Sequence, residues 1–417
     1  MSLRMQIPFR HRLQRGVSMV ELMVAMTISL IGTIIIFQVF EASEGIKRRT
    51  SSGGDAQQNG AIALYQIERD LRNSGMGFND TALAGCNVIG YDSQRVPADF
   101  PVAPANMLMV PVRIMAGANS RTPDQLVIMY GSQTHNTSAS AINATMGAST
   151  DPVRVKDMYG FRAGDLILLR ETVASVPPKE CSIMEVSAID LVTGALVHNQ
   201  GPYTLPWKSG AGVVSRFNKP GGLGVVYKFG ETNIYNLGNL YDSGGFSMPV
   251  HTTYYIPQAP DPTPHNVLAT VSSFVVSPPS QIADNIVHMR ALYGLDDGVN
   301  NGTIPYNTVF AAGDGILDRF VDATTVPNPD WARVMAVRVV LVARSALPEI
   351  SSQGRGQPCD TTATEPTWSG NAWAGTPWNF NVRLDLTSNP DWMCYRYKVF
   401  ETTVTLRNWV WASSKPI

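Results

Sequence analysis

Residues 17–40, VSMVELMVAMTISLIGTIIIFQVF, constrain this chain more than any other stretch: they hold no proline, and their one charged side chain is Glu21. Wound as an α-helix rising about 1.5 Å per residue, they span a hydrocarbon core of roughly 30 Å. Arg4, Arg10, Arg12 and Arg15 precede the run with no acid among them. They hold that end in the cytoplasm against the smaller cluster Lys47, Arg48 and Arg49 on the other side. An ordinary secretory signal has its small-residue cleavage site after the apolar core. Here the small residue, Gly16, comes first, so a cut after it leaves the apolar segment attached and creates a new amino terminus at Val17. Glu21 is then the fifth residue. A carboxylate inside a membrane costs roughly 2.5–3.5 kcal/mol on insertion scales unless a cation offsets it. The free amine of a neighbouring subunit, staggered by about one helical turn, is such a cation. On this reading Glu21 sets the register of helices packed side by side. The alternative is an interfacial carboxylate that snorkels to the headgroups.

The stretch G-VSMVELMVAMTISLIGTIII resembles the class III signal of type IV prepilins and of type II secretion pseudopilins. The shared pattern is a short basic leader ending in Gly, a hydrophobic first residue, Glu at position five and an unbroken apolar helix. Gly16, Val17 and Glu21 fall on those positions, with Val17 where Phe is usual. The resemblance implies cleavage after Gly16 by a prepilin peptidase and methylation of the Val17 amine. A further resemblance, to PilW-type minor pilins, rests on ALYQIERDLRNSGMGF (63–78), NIVHMRALYGLDDGVNNG (285–302), VMAVRVVLVARS (334–345) and YRYKVFETTVTLRN (395–408). A length of 417 residues suits that family.

Past residue 40 a helix can continue. Leu64, Ile67 and Leu71 make an apolar stripe, Ile62, Tyr65, Arg69 and Arg72 line another face, and Gly75 is a natural C-cap. Gly53, Gly54 and Gly60 each weaken a helix by about 1 kcal/mol relative to Ala. One long helix with a pliable stretch near Gly53 is expected, with two helices joined by a loop as the alternative. Beyond Gly77, MLMVPV, QLVIMY, DLILLR, GVVYKF, TTYYI, AVRVVLVARS and YRYKVFETTVTLRN read as strands bounded by turn residues. The fold class expected is therefore α+β: a long N-terminal transmembrane and amphipathic helix on an antiparallel, pilin-like β-domain with large loop insertions. Its divisions are a leader (1–16), a helix (17–75, transmembrane over 17–40) and a β-rich globular domain (76–417).

Removing residues 1–16 takes four of the 32 basic residues and none of the 33 acidic ones. The body is thus mildly acidic and offers no basic stripe for nucleic acid. Cys86, Cys181, Cys359 and Cys394 lack CxxC or zinc spacing. Behind an export segment an even number of cysteines favours disulfides, with four buried thiols as the alternative. Residues 359–394 carry Trp368, Trp373, Trp378 and Trp392 among Pro, Gly, Asn and Thr. A loop this long is unusual unless functional or tied down. A Cys359–Cys394 bridge would tie it, and the arrangement is similar to the disulfide-bounded C-terminal region of pilins; Cys86 and Cys181 would then pair by elimination. The tryptophans would form a satellite core, a partner surface or a sugar platform.

His11, His135, His198, His251, His265 and His288 form no HxxxH or HExxH, and neither G-x-S-x-G nor a GKS or GKT loop is present. No enzymatic activity and no cofactor are expected. Asp296, Asp297, Asn300 and Asn301, with Asp314 and Asp318, offer oxygen ligands on turns, but their spacing departs from the EF-hand order. No metal is assigned, and calcium stays an open alternative.

The resemblance implies a minor pilin of a type IV pilus. It would wait in the inner membrane with its globular domain in the periplasm, then start pilus assembly within a minor-pilin complex at the fibre tip. Its implied partners are other minor pilins, the major pilin, the prepilin peptidase, inner-membrane lipid before assembly and a tip adhesin. The alternatives are a minor pseudopilin of a type II secretion system and a membrane-anchored surface-binding protein.

Overall fold

The computed structural model describes residues 16–409 apart from 79, 81–82, 101–106, 120, 133–138, 173–179, 242–247, 259–260, 262–264, 297–314, 324–329, 350, 352, 354–355, 370–380, 384–385 and 387–390. With no proline between Val17 and Asn73, the chain forms one helix, α1 (Met19–Asn73). The helix contributes to two compact units, Met1–Gly54 and Asp55–Ile417. In the first, the apolar side chains of α1 are exposed. In the second, Ala56, Gly60, Ala63, Ile67 and Leu71 form the buried stripe, while Ile62 and Tyr65 stay outside. Ile67 and Leu71 of the expected stripe are fully buried and Leu64 packs partly buried against the core, with Ala63 added beside it.

Gly60 weakens a helix on propensity alone, yet tertiary packing requires it. A Cβ there would lie 2.1 Å from the Phe400 ring. Gly75 ends the helix with φ +79°, and its N–H donates to the Met129 carbonyl at 3.0 Å. The Asn408 amide donates to the carbonyls of Asn73 and Ser74, both at 3.2 Å, so a distant residue satisfies groups the last turn leaves unpaired. Asp70 is buried on α1 and accepts from the Tyr254 hydroxyl at 2.6 Å, which ties helix to sheet. Burial first, then the Asp70 charge, pushes the Tyr130 phenol up to about 12.

The principal strands, in chain order, begin with β1 (Cys86–Tyr91), β2 (Val112–Met115), β3 (Gln125–Tyr130), β4 (Asp165–Glu171), β5 (Cys181–Glu185) and β6 (Thr232–Asn239). They continue with β7 (Val250–Tyr255), β8 (Val267–Ser272), β9 (Ser280–Asp284), β10 (Ile286–Leu295), β11 (Arg319–Asp322), β12 (Val334–Arg344) and β13 (Tyr397–Thr405). Three sheets carry them: β1-β5-β4-β6 with short flanking strands, β9-β8-β7-β3-β2, and β11-β10-β12-β13. Pairing is antiparallel except between β1 and β5. A main core joins Ala63, Ile67 and Leu71 of α1 and Trp409 to inward residues of all three sheets, among them Val88, Leu168, Ile183 and Leu237 of the first.

A second core, around Met146, Phe161, Leu169, Leu196 and Tyr227, belongs to the segment between β3 and β7. It gives that insertion its own packed interior, which the strand pattern alone did not reveal. The stretch GVVYKF was expected as a strand, but no ladder forms there. Gly221, Gly222 and Gly224 have positive φ, and Tyr227 enters the second core without strand pairing, its hydroxyl 2.6 Å from Ser182 Oγ. MLMVPV likewise breaks up, into Leu108–Met109 and the start of β2.

Candidate functional site

Gly16, Val17 and Ser18 lead into α1, whose first turn closes with Leu22 N–H donating to the Ser18 carbonyl at 3.0 Å. Val17 is 66% exposed. Glu21 lies in that first turn, where the positive end of the helix dipole favours a carboxylate. Val20, Met23, Ile31, Ile35 and Phe40 are all more than half exposed, so this apolar surface is not consumed by the protein's own fold. Within Met19–Lys47 an 18-residue window reaches mean hydropathy 2.3, so the helix is long and apolar enough to cross a membrane.

The polar residues inside the run fit such a setting. Thr27 donates to the Val24 carbonyl at 2.9 Å, Ser29 to Ala25 at 2.8 Å and Thr33 to Ser29 at 2.8 Å. Each hydroxyl is satisfied by its own helix, which is what a solvent without hydrogen-bonding partners demands. Glu21 is the side chain in the run that no such backbonding could satisfy while ionised, because a carboxylate has no proton to donate.

Cys86 is joined to Cys181, with Cα atoms 6.0 Å apart, and Cys359 to Cys394, with Cα atoms 4.8 Å apart. Of the four tryptophans between the second pair, Trp368 is buried with Leu292, Val340, Val342 and Leu386 in a third small core, and Trp392 packs against it. Trp373 and Trp378 lie outside the described residues. The Trp368 indole N–H donates to Glu401 at 2.6 Å, and Arg338 reaches the same oxygen at 3.0 Å while its guanidinium stacks 5.4 Å from the Trp368 ring. Trp368, Leu386 and Trp392 thus pack on the face of β10 and β12 that carries Leu292, Val340 and Val342. Glu401→Ala leaves the indole N–H and Arg338 without this acceptor and should lower stability by about 1–2 kcal/mol. Urea unfolding against Glu401→Gln, which retains an acceptor, checks it.

Asp296 accepts from the Gly315 N–H at 2.8 Å. Asp297, Asn300, Asn301 and Asp314 lie outside the described residues, and no group of three His, Cys, Asp or Glu that could hold a metal occurs among the described ones. Sequence reasoning missed the groups that hold the second unit together: Asp70 beneath Tyr254, Asn408 on the end of α1, and Glu185 within the insertion. Each is brought to its partners by chain segments far away in sequence.

The prokaryotic N-terminal methylation motif matches residues 11–37, which contain Gly16, Val17 and Glu21. The family described as type IV pilus-assembly protein W matches residues 253–408, which run from β7 through β13. The insertion with its second core lies between the two matches. Neither a curated protein nor a solved structure matches. The methylation motif and the apolar helix point to membrane anchoring. The chain is thus similar over residues 11–37 to the N-terminal methylation motif and over residues 253–408 to type IV pilus-assembly protein W.

Proposed function

We propose that the chain is a minor pilin, cleaved after Gly16, methylated on Val17, and held in the inner membrane with its globular domain in the periplasm. It then enters an assembly-initiating complex with other minor pilins at the fibre tip, followed by the major pilin. The observation that carries this reading is the exposed apolar face of α1 with Glu21 in its first turn. Apolar surface of that extent needs lipid or neighbouring helices around it. Glu21 meets a neighbour's terminal amine only when the two helices are correctly staggered, so a correct neighbour is favoured over a misregistered one.

Glu21→Ala should leave the protein in the membrane and processed, yet reduce fibres per cell by tenfold or more, since about 2.5–3.5 kcal/mol of carboxylate cost is no longer tied to register. Counting fibres by electron microscopy beside membrane immunoblots tests this; normal piliation in the variant would sink the register role. Mass spectrometry of the mature amino terminus tests processing, and any start other than methylated Val17 contradicts it. Loss of protein secretion with intact fibres would instead identify a secretion pseudopilin.

A further inference from the structure

We propose that the cavity on the outer face of the β2-β3-β7 sheet binds the carboxylate of a small molecule or chain end with an apolar tail. The sheet alternates: Ile114, Leu126, Ile128 and Tyr254 face the main core. Their neighbours face the other way, and Arg113, Val127 and Thr253 stand side by side across the three strands. Met129 and His251 form the next row. The segment containing Met107, Leu108 and Val110 and the turn bearing Arg95 lie over this face, enclosing a cavity of about 210 Å³. That exceeds the roughly 150 Å³ apolar cavity that accommodates benzene, so about six to eight ligand carbon atoms fit.

The lining has two chemistries. Met107, Met115 and Met129, with Val110 and Val127, make an apolar wall whose methionines adapt to an unbranched chain. Arg95 and Arg113 supply positive charge at the same cavity, and no carboxylate lines it among the described residues. His251 is held in place, with Nδ1 2.8 Å from Ser273 Oγ and its ring 5.8 Å from that of Phe274. Burial first, then the charges of Arg95 and Arg113, holds its pKa down to about 4, so it is neutral at physiological pH and the site's positive charge is guanidinium. Guanidinium forks match a carboxylate better than a hydroxyl or an amide. Most of this lining lies N-terminal to the region that matches pilus-assembly protein W.

The test uses the full chain in nanodiscs and a hexanoate carrying a diazirine. Photolabelling should saturate, map by mass spectrometry to residues 107–129 and 250–253, and be displaced by unlabelled hexanoate but not by hexanol. A peptide ending in a free leucine carboxylate, set against its amide, distinguishes a polypeptide end from a fatty acid as the source; displacement by either carboxylate supports the site. Arg113→Gln should weaken binding by about tenfold, and Arg113→Lys should recover part of it. Arg95→Gln, on an exposed turn, should show the same loss. Labelling that does not saturate, labelling that maps elsewhere, equal displacement by hexanol, or affinity unchanged in both Gln variants would overturn the proposal.

Discussion

Replacing both Cys86 and Cys181 by alanine is expected to cost about 4–5 kcal/mol of unfolding free energy, the largest loss anticipated for any pair of substitutions in this chain. The two cysteines are 95 residues apart, and closing so long a loop in the unfolded chain removes more entropy than closing the 35-residue loop of Cys359 and Cys394. The native geometry adds a local reason. Cys86 begins β1 and Cys181 begins β5, and these strands form the parallel pairing, with Val88 beside Cys181 and Ile89 beside Ser182. So short a ladder, made by segments remote in sequence, has few bonds of its own to hold it. Both cysteines are buried, so alanine retains the apolar environment and isolates the effect of the link. Urea unfolding of the full chain in detergent, followed by tryptophan fluorescence with and without reductant, measures the loss. An unchanged midpoint in the double variant would refute it.

Glu185→Ala is expected to cost about 3–4 kcal/mol, more than any other single substitution proposed for the insertion. Its carboxylate is fully buried and accepts four hydrogen bonds. The Tyr203 and Tyr241 hydroxyls donate at 2.6 and 3.0 Å, and the Arg216 and Phe217 N–H groups at 2.7 and 3.0 Å. Burial, then the Glu185 charge, raises both phenols, so they remain protonated donors. Removing the acceptor strands the Tyr203 hydroxyl and the Arg216 and Phe217 N–H groups, while the Tyr241 hydroxyl keeps the Val214 carbonyl at 3.2 Å, and each unsatisfied buried group costs roughly 1–3 kcal/mol before relaxation. Tyr203→Phe and Tyr241→Phe should each cost only about 1 kcal/mol, because each leaves the carboxylate its other partners. A double-mutant cycle over Tyr203 and Glu185 reads the coupling; a Glu185→Ala loss no larger than that of Tyr203→Phe would show that the network is not held by this carboxylate.

These two centres mark where sequence reasoning stopped. Local patterns announced α1, because an apolar run without proline, a helical stripe and Gly75 are all short-range features. They also announced β3, β4, β7 and β12, where β-branched runs are bounded by turn residues. The stretch 224–229 misled, because its alternation is real but serves a single buried tyrosine rather than a ladder. Glu185 carries no signature at all, since a buried carboxylate in the run CSIME looks like any polar residue at a strand end. Only Tyr203, Tyr241 and the 216–217 backbone, brought there by the fold, make it an acceptor for four donors. Among the tryptophans, Trp368 was legible as one of several candidates, but its burial against Val340 and Val342 depended on where the loop folded back.

The sequence by itself determined the N-terminal features: the order Gly16, Val17, Glu21, the apolar run behind them and the hydroxyls that bond within one turn. Each depends on neighbours within about four residues, so a linear reading suffices. Tertiary structure alone decided the second core, the Asn408 cap on α1 and the cavity between Arg95 and Arg113. Those features join residues tens to hundreds of positions apart, and which polar group meets which is set by how the sheets stack, which no local pattern encodes.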